Sequence, residues 1–141
     1  MLVNEVMTKN PTFCSPETSL DKVAKLMRHD NCGAIPVVRK EGENYKAVGI
    51  ITDRDIVMRA LAESKNPIEM TAKNCMSQSV ITISKDAGVN ECIHKMEKNK
   101  IRRILVTNSE GNCCGIVSQA DIALHSPHEL TAELVEMISK L

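Results

Sequence analysis

Apolar positions along this chain follow a helical rhythm and then a strand rhythm, and the whole pattern occurs twice. In the first half Leu20, Val23, Ala24 and Met27 recur at the i, i+3, i+4, i+7 spacing of an amphipathic helix. A β-rich run follows, Ala34-Ile35-Pro36-Val37-Val38, and a polar turn from Lys40 to Asn44 returns the chain in another strand. That strand ends at Gly49-Ile50-Ile51-Thr52-Asp53-Arg54-Asp55-Ile56, where a further helix begins. An apolar lead-in at Val3, Val6 and Met7 and a brief strand near Thr12 to Cys14 precede these elements.

The second half repeats the order. An offset of 69 pairs Val3, Val6 and Met7 with Ala72, Cys75 and Met76, Met27 with Met96, Ile35 with Ile104 and Val37 with Val106. After a three-residue contraction in the turn the offset is 66, so that Gly49 meets Gly115 and Asp55 meets Asp121 in Gly115-Ile116-Val117-Ser118-Gln119-Ala120-Asp121-Ile122. A register kept across most of two halves marks an internal duplication. The expected fold class is α/β (α+β): repeat 1 over residues 1–62, a linker over 63–71, repeat 2 over 72–125 and a C-terminal helix over 126–141. Ser126 and Glu129 fit a capping box with Pro127 at the first helical position. Leu130, Leu134, Met137, Ile138 and Leu141 then form an apolar stripe, suited either to the chain's own domain or to a second copy.

Composition narrows the function. Each half alone is near the lower size limit for a self-sufficient core, so the halves are expected to pack together. With 18 basic and 18 acidic residues the formal charge is zero, so no global field holds nucleic acid or an anionic membrane. No apolar run approaches the roughly 20 residues of a membrane span and the N-terminus lacks signal-peptide character, so the expectation is a cytoplasmic protein. Phe13 and Tyr45 are the only aromatic residues, which argues against stacking on single strands. The six cysteines include no Cys-x-x-Cys and no zinc spacing; they read as small, reduced core residues, with reactivity left open only for the adjacent Cys113 and Cys114. His29, His94, His125 and His128 are scattered, and no Walker or dinucleotide-binding loop occurs, so neither a catalytic residue nor a metal site is expected.

The duplicated Thr52-x-x-Asp55 and Ser118-x-x-Asp121 match a helix capping box. The same geometry suits a nucleotide, with the hydroxyl and free amides facing phosphate and the carboxylate one turn on accepting from a ribose diol. Together with Val6-Met7-Thr8, Cys75-Met76-Ser77 and Gly33-Ala34-Ile35-Pro36-Val37-Val38, these endings make the span from Leu2 to His125 resemble a tandem pair of CBS domains, a Bateman module. The resemblance implies two β-α-β-β-α repeats related by a pseudo-twofold axis. It also implies two clefts for adenosine-containing ligands (AMP, ADP or ATP), no required cofactor, a homodimer formed through helices, and an unknown protein effector.

Carried over from the family, one cleft would combine Thr52, Arg54 and Asp55 with Met76, Ser79, Ile81, Ile101 and Arg102. Arg103, Lys100 and Arg59 would lie nearby. The other would combine Ser118, Ala120 and Asp121 with Met7, Asn10, Thr12, Cys32 and Gly33. Arginine forks favour phosphate, so the first cleft is expected to prefer the more phosphorylated nucleotide. Competing expectations are a ligand-independent scaffold, or a binder of S-adenosylmethionine, a metal or nucleic acid.

Overall fold

A computed structural model describes residues 1–78 and 80–125, together with 132, 135–137, 139 and 140. Most of the expected C-terminal helix, including Ser126, Glu129, Leu130, Leu134, Ile138 and Leu141, lies outside the described residues. The chain divides into two compact units, Pro11–Val80 on one side and Met1–Asn10 with Ile81–Leu141 on the other. The division does not follow the repeats, because each repeat's lead-in folds into the unit of the other repeat.

In the unit containing the second repeat, α1 (Val3–Val6) and β1 (Thr8–Lys9) come from the start of the chain. They join β4 (Thr82–Ser84), α5 (Val89–Asn99), β5 (Arg103–Thr107), β6 (Cys113–Ser118) and α6 (Gln119–His125). The sheet order is β1-β6-β5-β4, with β4 parallel to β5 across α5 and the other pairings antiparallel. Val3 and Val6 are buried with Cys92, Ile93, Met96, Ile104, Val106, Val117 and Ile122. Each large aliphatic side chain fully removed from water contributes about 1.5–3 kcal/mol.

The unit Pro11–Val80 repeats this plan with α2 (Leu20–Asp30), β2 (Ala34–Glu41), β3 (Asn44–Thr52), α3 (Asp53–Arg59) and α4 (Ala72–Cys75). Here the lead-in comes from the second repeat, and Ala72 and Cys75 are fully buried among Leu20, Val23, Ile35, Val37 and Ile51. Its outer pairings contract to single bridges, Cys14 with Val37 and Ile50 with Ser77. The strand expected over Thr12 to Cys14 is reduced accordingly. Cys14 exchanges hydrogen bonds with Pro36 O and Val38 N, and the next rung toward Thr12 needs an amide at residue 36, where proline has none.

Two further details depart from the sequence pattern. Ala24 is exposed, whereas Leu26 packs on the core, so the buried stripe of α2 is rotated away from the expected Leu20, Val23, Ala24, Met27 set. The stretch read as a linker begins at the end of one 3-10 turn, Leu61–Glu63, and holds another, Pro67–Glu69, and Met70 packs on the core. Its carbonyl accepts from Leu20 N at 2.9 Å.

Candidate functional site

Gly49 and Gly115 are required by close approach of a lead-in segment. A Cβ on Gly115 would stand 2.5 Å from Met7 Sδ and 3.1 Å from Thr8 O. On Gly49 it would stand 2.8 Å from both Met76 Sδ and Ser77 O. Met7 is thereby set beside the strand leading to Ser118, and Met76 beside the strand leading to Thr52, so each motif shares a unit with the lead-in of the opposite repeat.

Both motifs form reciprocal capping boxes. Thr52 N donates to Asp55 Oδ2 at 2.9 Å and Asp55 N donates to Thr52 Oγ1 at 3.1 Å. In the second motif Ser118 N donates to Asp121 Oδ2 at 2.9 Å and Asp121 N to Ser118 Oγ at 3.2 Å. Each box occupies one carboxylate oxygen only. Among the described residues Asp55 Oδ1 receives no hydrogen bond, and Asp121 Oδ1 receives a long one, 3.5 Å, from Thr8 Oγ1. The caps start the helices and still leave an acceptor for a diol.

The surroundings of the two motifs differ in charge. Arg102 and Arg103 line a cavity of about 420 Å³ with Ser118, Gln119, Ala120, Ala123 and Val135. The backbone explains the grouping, since Gln119 N donates to Arg102 O at 3.0 Å and Arg103 is the register partner of Ser118. In the other unit Asp53 N donates to Gly33 O at 3.0 Å and Ala34 is the partner of Thr52, so the guanidinium positions are taken by Gly33 and Ala34. A Cβ on Gly33 would meet Asp53 Oδ2 at 2.9 Å. Around Ser118 the cavity is lined by two arginines and, among the described residues, by no acid; at Thr52 one exposed arginine, Arg54, stands in the motif with Asp53 and Asp55. The resemblance combined Arg102 with Thr52 and set Arg103 nearby; within their own unit both arginines line a cavity with Ser118 and Ala120.

Arg59 has a different task from the one its charge suggests. Its Nη1 donates to Cys75 O at 2.8 Å and Met76 O at 3.0 Å, fastening the lead-in beneath Thr52. Asn10 adopts a left-handed φ of 50° and donates from its backbone N to Cys114 O at 3.3 Å. Cys32 is half-buried on the core of its unit, and Ile81 and Ile101 pack on the core of theirs. Thr12 donates its hydroxyl to Asp30, which with His29 holds that carboxyl below its ordinary range. Ser79 lies outside the described residues. Ile81, Ile101 and Arg102 belong to the unit that does not contain Thr52, and Thr12, Cys32 and Gly33 to the unit that does not contain Ser118.

Thr8, Gln119 and Asp53 were not anticipated from sequence. Thr8 has a signal in the repeat, because the matching position in the other lead-in is the hydroxyl residue Ser77. Burial pushes the Cys14, Cys92 and Cys113 thiols up to about 11 and raises those of Cys75 and Cys114, which favours the neutral thiol over the thiolate. His94 and His125 are exposed, and among the described residues no three His, Cys, Asp or Glu side chains gather as a metal site. No helix among those residues is long and apolar enough to cross a membrane.

The family model for the CBS domain matches twice, over residues 3–62 and 72–128. The chain belongs to the CBS domain family. It is 32% identical over 134 residues to hypoxic response protein 1 of Mycobacterium tuberculosis, covering 95% of this chain and 91% of that one. A conserved CBS domain protein of Thermoplasma acidophilum superposes with a TM-score of 0.81 at 20% identity, over 97% of this chain and 75% of that one, a likeness of fold. A CBS domain pair solved in complex with 5′-methylthioadenosine and S-adenosyl-L-methionine superposes with a TM-score of 0.76 at 32% identity, over 88% of this chain and 94% of that one.

Proposed function

We propose that this CBS pair is a non-enzymatic regulatory sensor of adenosine-containing ligands. The observation that carries the reading is the paired arrangement of capped carboxylates, each with a second oxygen facing away from its cap and a lead-in methionine seated at the preceding glycine. A carboxylate oxygen of this kind can accept from a ribose diol, and the similar CBS pair that holds methylthioadenosine and S-adenosylmethionine supports the adenosyl class.

Charge divides the work between the two motifs. The cavity lined by Arg102, Arg103 and Ser118 suits phosphate oxygens, through charge-assisted forks. The Thr52 motif, with Asp53 and Asp55 against Arg54, suits an adenosyl ligand carrying little or no negative charge. Neither motif sets a nucleophile beside a general base, so ligand would act by stabilising the native state and being read by a partner. Val57, Met58 and Leu61 on and after α3, and Leu124 on α6, are exposed and offer apolar surface for a second copy or an effector.

A thermal-shift screen of the full chain with AMP, ADP, ATP, S-adenosylmethionine and methylthioadenosine tests the proposal. A ligand at about one hundred times its Kd adds about 2.7 kcal/mol to native stability, enough to raise Tm by several degrees. No shift with any of the five would favour a ligand-independent scaffold instead.

A further inference from the structure

The unit Pro11–Val80 carries a second cavity, of about 280 Å³, toward the turn end of the β2–β3 hairpin. It lies away from the Thr52 motif: Ala34 pairs with Thr52, whereas Lys40, six residues farther along β2, pairs with Tyr45. At a strand rise of 3.2–3.4 Å per residue that is about 20 Å. The cavity uses both aromatic residues of the chain, Phe13 and Tyr45, with ring centroids 6.4 Å apart and planes inclined by 22°.

Their placement does not serve the core, which is built from aliphatic side chains, cysteine and methionine. Tyr45 is left 43% exposed. Leu26 and Val38 supply an apolar wall, Lys22 and Lys40 bring two ammonium groups, and among the described residues no acid lines the cavity. Two acids of the neighbouring segments are paired with other cations, Asp21 with Lys25 at 3.1 Å and Glu17 with Arg39 at 3.6 Å. A flat apolar surface beside two positive charges is complementary to a ligand with a flat apolar body and an anionic end.

We propose that this cavity is a second ligand site, for a small aromatic anion bearing a carboxylate or a phosphate. Its volume falls at the lower limit of ligand pockets, about 300 Å³, which fits a single-ring molecule. Lys22 and Lys40 hold the anionic group while the ring lies against Phe13 and Tyr45. The site is independent of the nucleotide reading, sharing no residue with either capped motif.

Titration of the ¹⁵N-labelled full chain with benzoate, phenyl phosphate and neutral benzamide tests the site by NMR. Benzoate or phenyl phosphate should shift the Phe13, Lys40 and Tyr45 amides saturably, and the tighter of the two identifies the anionic group. Benzamide should bind at least about tenfold more weakly, because a charge-assisted contact is lost. A folded Lys22→Gln, Lys40→Gln variant should lose at least about tenfold in anion affinity while the Thr52 and Asp55 amides stay in place. No saturable shift with either anion, equal affinity for benzamide, or undiminished binding by that variant would overturn the proposal.

Discussion

Replacing each motif glycine by alanine separates flexible from rigid obstruction. At Gly115 the new methyl would lie 2.5 Å from Met7 Sδ, the mobile end of an unbranched side chain, and 3.1 Å from Thr8 O. Rotating the thioether away relieves the first clash and leaves a few tenths of an ångström to absorb at the second. At Gly49 the methyl would lie 2.8 Å from Ser77 O as well as from Met76 Sδ. That carbonyl accepts from Ile50 N at 3.2 Å, and Ser77 N donates to Ile50 O at 2.9 Å, so the backbone is fixed from both sides. Overpacking costs about 1–3 kcal/mol; Gly115→Ala should fall near 1 and Gly49→Ala near 3. For a chain of this size a kilocalorie shifts Tm by about 3–4 °C, so the two variants should lose about 3 °C and about 10 °C. Differential scanning fluorimetry, repeated in Met7→Ala and Met76→Ala backgrounds, completes the test as two double-mutant cycles. Met7→Ala should remove most of the Gly115→Ala penalty, and Met76→Ala should leave most of the Gly49→Ala penalty. Equal losses for the two glycines, or full rescue of Gly49→Ala by Met76→Ala, would refute the assignment of backbone as the obstacle.

Three other outcomes follow from the structure. Lys100 caps α5 with a left-handed φ of 54°, so Lys100→Gly should relieve about 1 kcal/mol of backbone strain and raise Tm by a few degrees. Arg59→Gln should lower stability by about 1–2 kcal/mol through loss of the Cys75 and Met76 carbonyl contacts, while ATP affinity stays unchanged by calorimetry. The Cys14, Cys92 and Cys113 thiols rise from an ordinary 9.0 to about 11 on folding. The unfolded chain therefore ionises first, and their contribution is intact below pH 9 and lost between pH 9 and 11. By pH 11 urea denaturation should show a loss of roughly 2 kcal/mol per thiol.

Much of the fold was legible because the duplication repeats every signal. The helix stripes, the hairpins and the two motifs each appear at a fixed offset, and α2, β2, β3, α3 and their counterparts occur where the periodicity predicts them. What escaped the sequence is largely long-range. Pairing Pro36 against the Thr12 segment removes a rung that a period-two pattern cannot register, and Leu26 replaces Ala24 because the helix turns its face toward a partner remote in sequence. The seating of each methionine at a glycine of the opposite repeat depends on that same exchange of lead-ins.

The two capped motifs were legible in the sequence, and the grouping of charge within each unit was not. Thr52, Asp55, Ser118 and Asp121 could be read from spacing alone. The local grouping of Arg102 and Arg103 follows from strand register, Arg103 opposite Ser118, and from the Gln119 to Arg102 backbone bond, neither of which residue spacing gives. Arg59, expected near the first cleft, donates to two carbonyls of the lead-in, a role its charge does not announce.

Isothermal titration calorimetry of the full chain with ATP and with methylthioadenosine tests the sensor and its division of charge together. Wild type should bind at least one of the two. Arg102→Gln, Arg103→Gln should weaken ATP at least about tenfold and leave methylthioadenosine unaffected, while Asp55→Asn should weaken methylthioadenosine more than ATP. No binding heat with either ligand, or ATP binding indifferent to the loss of both arginines, would contradict the account.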